Sequence, residues 1–188
     1  MDNQEFVYFG SYTKTEKDGI WFLKYQSASH TFGKLKLAAK AENPSYLAYG
    51  CGLLFACAET NRFLGQPGGG ICAYRREKDG TLTLLSSENT KGTYPCHICV
   101  QQETRTLYVS NYGSGNISAF FVDENGKLRH LATVEHRAET GEGEAHAHCC
   151  AQSGAVYDVP HVRRAGLRTA RPAGDRPPHP ARPNSNHV

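Results

Sequence analysis

Short runs of apolar residues, each closed by small or polar ones, recur along the first 150 positions of the chain. Phe6-Val7-Tyr8-Phe9-Gly10-Ser11-Tyr12, Leu53-Leu54-Phe55-Ala56-Cys57-Ala58-Glu59 and Thr106-Leu107-Tyr108-Val109-Ser110-Asn111-Tyr112 superpose position for position. Each has the length of a strand. A second element follows each one: Gly19 to Tyr25, Gly70 to Arg75 and Asn116 to Val122. These are rich in aromatic and β-branched residues, which suit a pleated surface. Next come Gly33 to Leu37, Gly80 to Leu84 and Gly126 to Leu131, where Leu alternates with polar residues as in a strand with one wet face. Asp79-Gly80 and Asn125-Gly126 supply glycines for the turns before them. A fourth element closes each unit: Asn43 to Ala48, Tyr94 to Cys99 and Ala145 to Cys150. Within it Tyr46, His97 and His148 stand 51 residues apart each time.

Four short strands per unit, no helical period and a repeat of about 50 residues predict an all-β protein. The units read as four-stranded antiparallel blades of a β-propeller. A β-sandwich also uses many short strands, but it would not repeat strand for strand. Residues 1–150 therefore form a partial, incomplete propeller of about two and a half to three blades, since a full ring of seven needs roughly 350 residues.

Residues 151–188 break the pattern. They hold six of the nine prolines and six arginines, with no Lys, Phe or Trp. Prolines through Arg171 to Pro180 remove the N–H groups a strand ladder needs. This segment is expected to be a disordered Arg/Pro/Ala-rich tail, or sequence read out of frame, since lysine, aromatics and repeat are lost together. The competing reading is a natural linker or basic arm.

The formal charge of +3 divides at the same place. Residues 1–150 carry 15 basic and 16 acidic side chains, and the tail six arginines and two aspartates. Arginine without interleaved aromatics attracts phosphate non-specifically, so no nucleic-acid function is expected. With 39% hydrophobic and 21% charged residues the composition is globular. No window approaches the roughly 18 consecutive apolar residues of a membrane helix. Seven cysteines, an odd number in apolar surroundings, and no leader-like start suggest reduced thiols and a cytoplasmic setting.

The opening Val7-Tyr8-Phe9-Gly10-Ser11-Tyr12-Thr13, then Glu42-Asn43-Pro44-Ser45-Tyr46-Leu47, Glu59 through Gln66-Pro67-Gly68-Gly69-Gly70-Ile71, Pro95-Cys96-His97, Tyr108-Val109-Ser110-Asn111-Tyr112-Gly113 and His146-Ala147-His148 form an ordered set. Together they resemble the seven-bladed β-propeller lactonases, whose best-known activity is 6-phosphogluconolactonase. The resemblance implies that the elements beginning Pro44, Pro95 and His146 are the innermost strands, lining a central channel. It places three outer strands of a first blade at about 6–38, full blades at about 43–87 and 94–134, and a lone inner strand at 145–150. It further implies a lactone hydrolase of carbohydrate metabolism, taking 6-phosphogluconolactone to 6-phosphogluconate in the pentose phosphate pathway. Lactonising cycloisomerisation is also compatible. The alternative is a truncated, catalytically inactive propeller fragment, because blades bury their faces against neighbours and an incomplete array leaves one bare. Such a face also suggests self-association. The family's site draws on arginine and glutamate from later blades, which this chain lacks.

Hydrolysis of a small-molecule sugar lactone needs a base for water, donors for the oxyanion and, with a phosphorylated substrate, cations. Histidine suits the base, its ordinary pKa being about 6.5. His97 and His148 occupy equivalent places on adjacent inner strands, and His148, beside His146, is the first candidate; the plainer role is to satisfy backbone groups at a blade junction. Glu59, at the end of an outer-blade strand beside a glycine-rich loop, is a candidate to orient a substrate hydroxyl, and Arg62 and Lys91, in loops, to meet a phosphate; ordinary surface charge is the alternative for all three. Gly65 to Gly70 reads as a turn, lacking the strand, loop and helix order of a phosphate-binding fingerprint.

His146 and His148 share a strand face but have no clear third ligand, and Cys96 and Cys99 would point to opposite faces, so no metal site is expected. No cofactor is implied. No Gly-x-Ser-x-Gly elbow is present, which disfavours a serine hydrolase.

Overall fold

The computed structural model describes residues 4–15 and 18–135, together with the backbone of two strands, Cys149–Gln152 and Ala155–Asp158. Among these residues every regular element is a strand. The first sheet holds β1 (Gln4–Phe9), β2 (Gly19–Gln26), β3 (Thr31–Phe32) and β4 (Lys36–Lys40), with β2 pairing to the other three. The second is built from β5 (Leu47–Gly50) and β6 (Leu53–Ala58), then, past a ribbon of β7 (Arg62–Phe63) and β8 (Gln66–Pro67), β9 (Gly70–Arg76) and β10 (Leu82–Asn89). Its order is β5-β6-β9-β10. The third runs β11 (Pro95–Gln101), β12 (Thr106–Asn111), β13 (Asn116–Val122) and β14 (Leu128–Glu135) in chain order. All pairings are antiparallel. These are three successive propeller blades, the first without an inner strand among the described residues.

Inner strands neighbour inner strands and outer strands neighbour outer ones: β5 lies beside β11, and β10 beside both β4 and β14. β15 (Cys149–Gln152) lies next to β11 and pairs with β16 (Ala155–Asp158), so strand structure crosses the boundary expected at residue 150. The remainder of the tail lies outside the described residues.

The middle blade explains the unbroken apolar runs. Leu53, Phe55, Cys57, Ile71 and Ala73 join a core with Ile98, Leu107, Val109, Phe120, Val122 and Leu128 of the third blade. Leu54, Ala56, Cys72 and Tyr74, the alternate positions of the same strands, join Ile20, Phe22 and Ala38 of the first. Because successive side chains point to opposite faces, a strand covered on both faces loses its polar alternation. Every residue of β6 is accordingly buried.

The repeat extends to the tie between blades. Gly80 and Gly126 turn with φ of +95° and +81°, a region open to glycine. The Gly80 carbonyl accepts from the Tyr8 hydroxyl of the preceding blade at 2.8 Å, and the Gly126 carbonyl from Ser86 at 2.6 Å. A Cβ on Gly80 would collide with the rings of Phe6 and Phe22, and one on Gly126 with Leu85. Both turns were legible as Asp-Gly and Asn-Gly.

Three placements differ from the sequence expectation. In the second blade the inner strand expected at Asn43 to Ala48 is Leu47–Gly50. In the first blade the strand expected at Gly33 to Leu37 starts later, at Lys36. The Gly33 N–H instead donates to Lys24 O at 2.7 Å, and a bulge between Ile20 and Trp21 resets the register. The segment from Gly65 to Gly70 is more than a turn: Arg62–Phe63 pairs with Gln66–Pro67 across Leu64 and Gly65, whose φ of +50° and +75° make a tight hairpin.

Candidate functional site

At one end of the blades each inner strand begins beside the point where the next strand outward finishes. The entry to the second blade's inner strand is Asn43-Pro44, and to the third's Tyr94-Pro95; Asn43 and Tyr94 have φ of +40° and +53°. Their carbonyls accept matching hydrogen bonds, from Glu59 N–H at 3.0 Å and Tyr112 N–H at 2.9 Å. The left-handed conformation aims each carbonyl at the end of the neighbouring strand.

Asn43 does more. Its Oδ1 accepts from the Thr13 N–H at 2.9 Å and the Thr13 hydroxyl at 3.1 Å; its own N–H donates to Thr13 Oγ1 at 3.1 Å, and its Nδ2 to Glu59 O at 3.4 Å. The loop after β1 is thus fastened to the end of β6. Across that fastening the Tyr12 hydroxyl donates to Glu59 Oε1 at 2.9 Å. Bonding to the carboxylate, with some burial, raises the Tyr12 pKa and keeps the phenol protonated.

The third blade brings Cys96 to the same place. Burial, and next the Glu59 carboxylate, push its thiol up. It is therefore a neutral, weakly polar neighbour rather than a nucleophile. The segment carrying it is held from both sides: Tyr94 N–H donates to Thr60 O at 2.9 Å, and Gly69 N–H to Gly92 O at 2.7 Å. Beneath lies a buried network. Ser118 Oγ donates to Thr90 O in a short hydrogen bond, Asn111 Nδ2 to Asn116 Oδ1 at 2.8 Å, and Asn116 Nδ2 to Lys91 O at 3.3 Å.

Glu59 follows β6, the strand next to the inner strand β5. His97 packs its ring on Tyr46, centroids 4.6 Å apart and planes at 51°, across the junction of the second and third blades. Arg62 is drawn away from the cluster; its Nη2 donates to Gly65 O at 3.1 Å within its own hairpin. Lys91 is exposed on the loop above the buried network. His146 and His148 lie outside the described residues. Among the described residues no three His, Cys, Asp or Glu side chains converge as a metal-binding group, and no helix is long and apolar enough to cross a membrane.

Sequence reasoning missed Tyr12 and Asn43 as site residues. The signal for Tyr12 was present, since the repeat places Tyr12, Glu59 and Tyr112 at the same closing position. An open groove of about 600 Å³ begins at Thr13, beside Tyr12, and is lined by Lys14, Lys40, Asp18 and Glu42.

Residues 6–156 match the family described as lactonase, 7-bladed beta-propeller. A 6-phosphogluconolactonase of Bacillus subtilis (strain 168) is 34% identical over 139 residues, covering 72% of this chain and 38% of that protein. Among solved structures, a protein from Lactobacillus plantarum superposes with a TM-score of 0.67 at 25% identity, over 82% of this chain and 46% of that one. The periplasmic gluconolactonase of Pseudomonas aeruginosa gives a TM-score of 0.64 at 25% identity, over 72% and 40%. The chain spans about two fifths of the length of the curated relatives it matches.

Proposed function

This chain belongs to the seven-bladed β-propeller lactonase family, and from that premise we propose that it serves the hydrolysis of a sugar lactone, with 6-phosphogluconolactone, opened to 6-phosphogluconate, as the substrate. The observation that carries the reading is the polar strand-end cluster, where the first two blades join Tyr12 to Glu59 and the third sets Cys96 beside them. Such a cluster suits the hydroxyl-bearing side of a lactone ring. Lys14 and Lys40, in the adjoining groove, suit the phosphate better than Arg62, which is tied into its hairpin.

In the reaction a water oxygen bonds to the lactone carbonyl carbon while a base removes the water proton. The tetrahedral oxyanion then collapses, the ring C–O bond breaks, and the proton passes to the departing ring oxygen. His148, one repeat beyond His97 in the sequence, takes the base role, with His146 two positions before it as its companion. His97, packed on Tyr46, holds the blade junction.

The test is hydrolysis of 6-phosphogluconolactone by the unmodified chain, His148→Ala and His97→Ala. His148→Ala should lose about 100-fold or more in rate, the scale of a lost general base, while His97→Ala keeps most of it. Equal rates for His148→Ala and the unmodified chain would overturn the assignment. A second reading, a chain without catalysis of its own, draws on one observation. The face of the third blade turned from the second carries Ile117 and, paired with it, Val134, 68% exposed. No rate above the spontaneous one from any of the three proteins would favour it.

A further inference from the structure

We propose that Tyr12 and Glu59 form a subsite for two adjacent hydroxyls of a polyol, with Asn43 as its positioning residue; the biological ligand, the polyol side of a sugar lactone, rests on the reading above.

The Tyr12 hydroxyl spends its proton on Glu59 Oε1 and keeps its acceptor lone pairs. Glu59 Oε2 has no hydrogen bond among the described residues. Two acceptors are therefore linked through a 2.9 Å hydrogen bond, Tyr12 being 65% exposed and Glu59 half-buried. Hydroxyls on neighbouring carbons of a sugar lie at a comparable separation, so one can donate to the carboxylate and the next to the phenol oxygen. A hydroxyl donating to a carboxylate makes the stronger, charge-assisted bond. An isolated hydroxyl can take only one of the two. Hydroxyls held apart across a rigid ring, as in trans-1,4-cyclohexanediol, lie too far apart to take both.

The pair is held rather than accidental. Thr13, next to Tyr12, and both main-chain polar groups of Glu59 are bonded to Asn43, which engages its N–H, its carbonyl and both side-chain polar atoms to do so. Glycine at residue 43 would keep the main-chain bonds and lose the side-chain links to Thr13 and to Glu59 O. It also adopts left-handed backbone freely, so Asn43→Gly removes the positioning side chain without adding charge or backbone strain. Cys96, its thiol neutral, walls the third side.

The experiment follows the backbone amide resonance of residue 59 in the full chain, titrated with sorbitol, whose hydroxyls are all adjacent, and with trans-1,4-cyclohexanediol, whose two hydroxyls are held apart across the ring. Sorbitol should give a saturable shift and trans-1,4-cyclohexanediol none. Tyr12→Phe and Glu59→Gln should each weaken sorbitol about tenfold, the scale of one hydrogen bond involving a charged group. Asn43→Gly should weaken it several-fold and lower the titration midpoint of Tyr12 toward its ordinary value, which a merely structural role would leave in place. Equal response to the two polyols, no saturable response to sorbitol, or unchanged sorbitol binding in Tyr12→Phe would each overturn the subsite. Lactone hydrolysis without sorbitol binding would sink the subsite and leave the enzymatic reading standing. Sorbitol binding as described without lactone hydrolysis would do the reverse.

Discussion

Replacing Phe55 by alanine tests the packing that places the three strand ends together. Phe55 lies at the middle of β6, is 0% exposed, and belongs to the core between the second and third blades. Truncating a fully buried Phe to Ala costs about 3–5 kcal/mol, because transfer energy is lost and the surroundings only partly close the cavity. In urea a domain of this size unfolds with a slope of about 1–3 kcal/mol per molar. The midpoint should therefore fall by about 2 M, taking the middle of both ranges. The chain has one tryptophan, Trp21, and it sits in the first blade, away from the substitution. If the blades unfold as a unit through their shared middle sheet, Trp21 fluorescence and far-UV circular dichroism should shift together. Val134→Ala, on the open face of the third blade, is the control and should change stability by about 0.5 kcal/mol or less. An effect of Phe55→Ala no larger than the control, or a Trp21 transition that stays put while the dichroism moves, would refute the two-sided burial of β6.

Gly80→Ala should destabilise by more than about 1 kcal/mol in the same urea assay, since a Cβ meets both Phe6 and Phe22 at a positive-φ turn; a neutral result would put the turn elsewhere. Ser118→Ala strips the hydroxyl that donates to Thr90 O in the buried network. It should cost about 1–3 kcal/mol and speed hydrogen exchange at residues 90–94, and unchanged exchange there would count against the network's hold on the third inner strand. Burial raises the pKa of Cys72, and that of Tyr74 more strongly, so both stay neutral in the fold. A raised acid stabilises fully below its unfolded pKa, about 8.5 for Cys and 10 for Tyr, and that contribution is lost as pH climbs past it. Thermal midpoints should be flat from about pH 6 to 8 and fall above about 9, less steeply in Cys72→Ala; a flat profile through pH 10 would contradict the burial.

The blades could be read in the sequence because their signal is local. Strand length, turn glycines and the 51-residue recurrence lie within each unit, and the structure adds that ties such as Tyr8 to Gly80 repeat as Ser86 to Gly126. What could not be read joins residues distant in the chain. The Tyr12–Glu59 bond spans 47 positions and Asn43 reaches 30 positions back to Thr13; the repeat marks Tyr12 and Glu59 as equivalent positions, but not as bonded partners. Glu59 was legible as a polar residue at a strand end, next to Ala58 that closes β6, but not as a partner of Tyr12. Arg62 was offered to a phosphate on charge alone, and its hairpin claims the guanidinium for a backbone carbonyl. Tyr46 and His97 were seen as equivalents one repeat apart, yet that equivalence makes them neighbours across a junction, ring on ring.

The most direct test of the account is the rate of 6-phosphogluconolactone hydrolysis by the purified, folded chain, measured against the spontaneous opening of the same lactone at neutral pH. The account predicts a saturable rate above the spontaneous one, suppressed competitively by 6-phosphogluconate. A rate indistinguishable from spontaneous hydrolysis, with the chain folded and soluble, would contradict it.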